Sequence, residues 1–236
     1  CIIEGISHNG EGVARIQGKA VFVPFTLPGE KVTIKIKADK KRYARAELVH
    51  IDEPSPDRIK PICPHYYSCG GCAYQHVTYK RQLELKRQTV ADNILRIAKI
   101  ETDINPVVGM EYPWQYRNKV TWHVGGGPGK KPFLGYYQGG SHTIIPIKQC
   151  NLISDKMQQV TDLLQSMLND LPVTKRTSIV IREARAENQI MLVLYNLEDE
   201  IAPNHIQTLS NSVDSIYTVN NNKEKHLLGL KYLSPH

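Results

Sequence analysis

Cys63, Cys69 and Cys72 fall within the ten residues Cys-Pro-His-Tyr-Tyr-Ser-Cys-Gly-Gly-Cys, spaced C-x5-C-x2-C. Thiolates this close together suit one inorganic centre, and Gly70 and Gly71 let the backbone fold back so that three sulfurs converge. Such a centre normally takes a fourth ligand. Cys150 is the candidate, because the remaining cysteine, Cys1, stands at the chain start, where fraying is expected. Two centres compete. Zinc favours paired C-x2-C knuckles, often with histidine, and this chain has one knuckle plus a wider arm. A C-x4-C-x2-C run with a distant fourth cysteine is an iron–sulfur spacing, and here the first arm is one residue longer. The spacing therefore favours a [4Fe–4S] cluster over zinc, with unligated thiols as the remaining reading. A disulfide framework does not suit 5 cysteines in 236 residues.

Chemistry at such a loop needs a scaffold and a partner. The chain is 41% hydrophobic over its 236 residues, ample for a buried core in one or two domains. No apolar run approaches the ~20 residues of a membrane span, and the first residues show no charged-then-apolar leader pattern. A monomeric cytoplasmic protein that engages no membrane is expected. The charge is uneven: residues 1–90 carry 15 Lys and Arg against 9 Asp and Glu, whereas residues 91–236 carry 15 against 14. A basic, aromatic-containing module most often meets nucleic acid, the plainer alternative being a solvated surface.

Residues 1–54 read as a small all-β module. Alternating runs at Cys1–Ile6, Val13–Ile16, Ala20–Phe25, Val32–Ile36 and Tyr43–Ile51 are divided by Asn9-Gly10, Gln17-Gly18 and Leu27-Pro28-Gly29. Five strands in about fifty residues fit an OB-like barrel, which hides its edges by closure. Between the last two strands stand Lys35, Lys37, Lys40, Lys41, Arg42, Tyr43 and Arg45. In such a hairpin Lys41, Arg42 and Arg45 would clamp phosphate and Tyr43 would stack a base.

Pro54-Ser55-Pro56 forms a stiff link into the cysteine loop, and residues 55–90 comprise that loop and the start of a helix. The helix is predicted over Tyr79–Ala98, with Leu83, Val90, Ile94, Ile97 and Ala98 on an apolar side that shelters the metal centre. Residues 91–236 form an α+β domain. Its strands are expected at Tyr116–Val124, Phe133–Tyr137, Thr143–Ile147, Ser178–Glu183, Gln189–Tyr195, Ser215–Val219 and Leu227–Tyr232. Ser154 caps a helix running to about Asp170, and Pro203 opens a shorter one. The run Gly125-Gly126-Gly127-Pro128-Gly129-Lys130-Lys131 lacks the Ser or Thr of a phosphate loop and reads as a plain connection. The 9 histidines are scattered, with no hydrolytic zinc spacing and no Gly-x-Ser-x-Gly beside them.

Taken together, Gly10-x-Gly12-Val13-Ala14, Pro28-Gly29-Glu30, Cys63-Pro64…Cys69-Gly70-Gly71-Cys72, Gln82…Lys86 and Tyr116-Arg117-Asn118-Lys119 resemble the bacterial RNA (uracil-5-)-methyltransferase family, from residue 1 to about 235. Members that carry an iron–sulfur cluster modify 23S ribosomal RNA. The resemblance implies that residues 1–54 are a TRAM domain and that Cys63, Cys69, Cys72 and Cys150 ligate a [4Fe–4S] cluster. It implies that residues from about 90 onward bind RNA, with Arg117, Asn118 and Lys119 as contacts.

Family enzymes also carry a Rossmann-like domain that binds S-adenosylmethionine, with a nucleophilic cysteine in an Asp-Pro-Pro-Arg motif. That thiolate adds to C6 of uracil so that C5 can accept the methyl group. This chain shows neither that motif nor a G-x-G-x-x-G opening a helix. The expectation is a TRAM barrel plus an α+β central domain with an iron–sulfur loop, the catalytic Rossmann-like domain absent from this chain. Such a chain would position RNA and be inactive alone, with no catalytic residue of its own. The alternative is a free-standing RNA-binding iron–sulfur or zinc protein.

Overall fold

A computed structural model describes residues 1–127, 129–221 and 223–230. The chain divides into two compact units, the first made of Cys1–Tyr67 and Cys72–Pro113, the second of Ser68–Gly71 and Trp114–His236.

In the first unit β1 (Gly5–Ile6), β2 (Gly12–Ile16), β3 (Lys19–Val23), β4 (Lys31–Asp39) and β5 (Tyr43–Glu53) form one sheet in the order β1-β2-β3-β5-β4. Only β3 and β5 run parallel. The β2–β3 connection is a two-residue turn in which Gln17 (φ 51°) and Gly18 (φ 78°) are both left-handed, the geometry whose twist matches the flanking strands. An antiparallel bridge between Ile2 and Lys31 brings the chain start onto β4, and the Ile3 N–H donates to the Glu30 carbonyl at 2.9 Å. The two outer edges thus meet and the sheet closes. Alternation sends Ile3, Ala14, Val21, Val23, Val32, Ala44 and Ala46 inward, and the alanines suit a narrow interior.

The helix expected over Tyr79–Ala98 is α-helical only as α1 (Tyr79–Asn93), after which Ile94–Ala98 winds as a π-helix and ends at Lys99 (φ 58°). The wider winding breaks the 3.6-residue period on which the apolar stripe was drawn. Ile97 in this segment is exposed, as is Val90 within α1 itself. Leu85 is the buried residue of α1, packed with Leu27 and Val77, so this contact is with the barrel side of its own unit rather than with a metal centre.

The second unit holds β6 (Lys119–Gly125), β7 (Phe133–Tyr137), β8 (Ile144–Pro146), α2 (Asp155–Met167), β9 (Ser178–Ala184), β10 (Gln189–Tyr195), α3 (Pro203–Ser210), β11 (Ser215–Asn220) and β12 (Lys223–Gly229). The sheet order is β12-β11-β10-β9-β6-β7-β8, with β10 and β11 its parallel pair. The last strand begins earlier than expected, and its predicted end at Tyr232 lies outside the described residues, as does Pro128. Ser154 caps α2, its hydroxyl accepting from the Met157 N–H at 3.1 Å.

One face of this sheet is core: Val120, Trp122, Ile179, Ile181, Ile190, Leu192 and Leu194 pack with Met157, Val160 and Leu164 of α2 and Leu209 of α3. Period-2 alternation places Lys119, Thr121 and His123 of β6 on the opposite face, in register with Arg182, Val180 and Ser178 of β9. Val180, Val193 and Tyr217 make a small apolar cluster there, which neither α2 nor α3 joins.

Candidate nucleic-acid interface and cysteine loop

The β4–β5 hairpin is closed by the Lys40 N–H donating to the Tyr43 carbonyl at 2.9 Å. Its charges have different duties. Lys37 pairs with Glu47 at 2.5 Å and Lys19 with Asp39 at 2.6 Å. Arg45 pairs with Glu11 at 2.7 Å and lies 5.8 Å above the Phe22 ring, which in turn meets Tyr43 edge-on at 5.9 Å. Lys41 and Arg42 stand exposed at the tip, and among the described residues no carboxylate lies within ion-pair distance of either. Lys41, Arg42 and Tyr43 are therefore presented outward together, while Arg45 is already engaged.

The chain leaves the barrel through a buried ion pair. Glu30 is fully buried and accepts from Arg58 Nε at 2.6 Å, Arg58 Nη2 at 2.8 Å, the Leu27 N–H at 2.8 Å and the Ser55 N–H at 3.2 Å. Burial alone would raise the Glu30 carboxyl, but the hydrogen bonds from Arg58, Leu27 and Ser55 outweigh it and hold the group below the usual carboxylate range. Beyond it, the Tyr66 hydroxyl donates to the Ala73 carbonyl and meets His76 Nδ1, both at 2.6 Å. Burial, then the nearby Arg58 charge, push the His76 imidazole down to about 4, so it stays neutral.

The cysteines fall into two local pairs. In the first unit Gln75 joins Cys63 to Cys72: its Oε1 accepts from the Cys63 N–H at 3.3 Å and its Nε2 donates to Cys72 Sγ at 3.2 Å. In the second unit Cys69 and Cys150 both border the core beside Tyr136, whose ring stacks on Trp122 at 4.6 Å. Burial, then the Cys150 thiol, raise the Tyr136 phenol. The Gly71 N–H donates to Cys69 Sγ at 3.3 Å. Among the described residues no three His, Cys, Asp or Glu side chains converge as they would on a metal ion. The donor chemistry fits a thiolate-bound cluster, with soft sulfurs and N–H groups directed at two of them.

Of the three cationic or amide residues expected to contact RNA in this unit, Arg117 donates through Nη2 to the Gly71 carbonyl at 3.1 Å, which fastens the cysteine loop. Asn118 is exposed, its carbonyl accepting from the Glu183 N–H. Lys119 opens β6 on the helix-free face, in register with exposed Arg182. Sequence reasoning missed Arg182. It lies 63 positions from Lys119 in the chain, and the signal was the outward-facing parity of each strand, which becomes a shared patch only once β6 and β9 are known to pair.

Residues 2–49 match the TRAM domain. A protein of Listeria monocytogenes serotype 4b named an uncharacterized RNA methyltransferase is 38% identical over 208 residues, spanning 84% of this chain and 46% of its own length. Another so named, from Clostridium tetani, is 34% identical over 242 residues, spanning 96% of this chain and 52% of its own. Over nearly its whole length the chain is thus similar to part of these RNA methyltransferases.

It spans about half the length of the family relatives it matches. The fold agrees with the crystal structure of the Pyrococcus abyssi tRNA (uracil-54, C5)-methyltransferase in complex with S-adenosyl-L-homocysteine, at a TM-score of 0.62 and 21% identity, over 97% of this chain and 53% of that one. The expected fold class needs correcting on this ground. Defining the chain by an absent Rossmann-like domain is not sustained, because likeness to methyltransferases runs along 96–97% of it. Its two mixed sheets agree in fold with the part of that structure they cover. The expectation of an inactive chain likewise gains no support from these family relatives.

Proposed function

We propose that this chain supplies the RNA-binding and cysteine-loop functions of an S-adenosylmethionine-dependent RNA (uracil-5-)-methyltransferase, with 23S ribosomal RNA as its substrate. The observation that carries the RNA-binding reading is the hairpin tip: Lys41, Arg42 and Tyr43 exposed side by side on a TRAM-matching barrel. Unpaired cations there attract phosphate and release counterions, and the tyrosine offers a ring to a splayed base. Within the second unit, Lys119 and Arg182 form a cationic pair on the open face. A uracil within folded RNA must be unstacked before chemistry at C5, at a cost of about a few kcal/mol that such contacts offset. S-adenosylmethionine, when bound, supplies the methyl group.

The four cysteines Cys63, Cys69, Cys72 and Cys150 would hold the [4Fe–4S] cluster. Support comes from the Gln75 link between Cys63 and Cys72 and from the shared position of Cys69 and Cys150 beside Tyr136. Methyl transfer needs no electron, which favours a structural role: a bound centre acts as a cross-link and its binding energy becomes folding energy.

Filter binding against a 23S rRNA domain and a tRNA transcript, at several salt concentrations, tests the substrate. Tighter, salt-dependent binding to the rRNA is expected. Preference for the tRNA would reassign the substrate, and salt-independent binding would remove the hairpin. Anaerobically purified protein should be brown and carry iron, and Cys150→Ser should lose both. Full iron loading in that variant, or zinc in the unaltered protein, overturns the cluster.

A further inference from the structure

Within the second unit a cavity of about 440 Å³ opens where the cysteine loop meets the end of β7. The Gly70 N–H donates to the Tyr137 carbonyl at 3.0 Å, and Cys69 forms an antiparallel bridge with Gln138. Loop and strand approach so closely that a side chain on Gly70 would meet Gly139 Cα and the Tyr137 carbonyl oxygen at 3.2 Å. The wall is thus bare backbone on one side. On the other it is aromatic: His123 and Tyr137 lie with ring centroids 4.3 Å apart and planes 38° apart, and His142 meets Tyr137 edge-on at 6.1 Å.

We propose that this cavity is a stacking pocket for one unpaired base of the RNA. No Lys, Arg, Asp or Glu is among the residues that line it. A phosphate therefore finds no counter-charge inside, whereas a flat neutral ring finds Tyr137 to stack on and the Gln138 amide as donor and acceptor for its edge. Burial keeps the His123 imidazole below its ordinary value, which preserves the pocket's neutrality. The cations stand outside: Lys119 shares its face of β6 with His123, and Arg117 is fixed to the back of the loop through the Gly71 carbonyl. Charge beside the pocket and none within it sorts a nucleotide into backbone and base. The volume exceeds what one base needs and lies in the range of small-molecule sites. A duplex cannot use it, because its bases are stacked on each other.

The proposal rests on the RNA-binding reading, and the test separates the two. Affinities of the full chain are measured for an RNA hairpin with an unpaired loop and for a fully paired duplex of equal charge. Tyr137→Ala should weaken hairpin binding about 5- to 100-fold and leave duplex binding unchanged. Tyr137→Phe, which keeps the ring, should retain hairpin affinity and shows that the alanine effect is not misfolding. If the unaltered chain binds neither RNA, the RNA-binding reading fails and the pocket falls with it. If it binds the hairpin and Tyr137→Ala changes nothing, or weakens both RNAs equally, the pocket alone is overturned. Saturable binding of free uridine or adenosine monophosphate that Tyr137→Ala abolishes, without any effect on the hairpin, would reassign the pocket to a free nucleotide.

Discussion

The sheet of the first unit rolls up until Ile2 meets Lys31, whereas that of the second unit stays open and covers only one of its faces with helices. In a closed barrel the inward face is consumed by packing, so a partner is left the outer face and the turns, among them the exposed Lys41–Tyr43 tip. An open sheet keeps a whole face, and there Lys119, Arg182, His123 and Tyr137 are spread over three adjacent strands. A barrel turn grips a point on a strand of RNA; a sheet face lays out a track.

The contrast is broken most severely through the core of the open sheet. Trp122 is fully buried, stacked on Tyr136 and packed under α2. Trp122→Ala should cost about 3–5 kcal/mol. Amide exchange resolved by strand should show protection lost in β6, β9 and β10 and kept in β2–β5. Equal loss in both sheets would show that the two units do not unfold separately.

The barrel's corresponding weak point is polar. Glu30→Ala would strand Arg58 and two backbone N–H groups, at a cost of about 3 kcal/mol, toward the low end for a broken buried pair because Arg58 keeps 15% of its side chain exposed. The same region should be acid-sensitive in two steps. His76 ordinarily titrates near 6.5 and in the fold at about 4, so the unfolded chain takes up its proton first. Stability should therefore fall as pH drops from 6.5 to about 4, by on the order of 3 kcal/mol. Glu30, held below the carboxylate range, adds a loss that begins near the ordinary carboxylate value and continues as pH falls through its lowered one. Urea titrations across pH 3–8 should show the upper step vanish in His76→Gln. An unchanged slope in that variant would place the acid sensitivity elsewhere.

Much of this architecture is legible in the amino-acid sequence. Apolar runs, alternation and Gly turns locate most strands of both sheets, although the expected Cys1–Ile6 strand shrinks to Gly5–Ile6, and Ser154 marks a helix start correctly, because these signals are local. The register of β6 against β9 is not local, and Arg182 is invisible in the sequence for that reason. The stripe Leu83, Val90, Ile97 misleads: Val90 is exposed within α1 itself, and Ile97 lies where the winding turns π-helical after Asn93. The cysteine spacing leads to the expectation that Cys63, Cys69, Cys72 and Cys150 form one set. It does not show that Cys63 and Cys72 share Gln75 while Cys69 and Cys150 share Tyr136.

The smallest effect is the most discriminating for the hairpin. By residue type and spacing Arg42 and Arg45 are equivalent phosphate clamps; the structure separates them, since Arg45 is held between Glu11 and the Phe22 ring. A cation already neutralised by a carboxylate 2.7 Å away releases few counterions when RNA arrives. Arg42→Ala should lower the slope of log affinity against log salt by roughly one phosphate contact, about 0.7–0.9. Arg45→Ala should change it by less, and by freeing Glu11 should weaken binding through a carboxylate left beside the RNA path. Glu11→Gln then distinguishes the cases: it should steepen the salt slope in the presence of Arg45 and, in its absence, recover the affinity lost to the freed carboxylate. If Arg42 and Arg45 shift the slope equally, the ion pair opens when RNA binds, and the hairpin grips with all of its cations rather than with its tip.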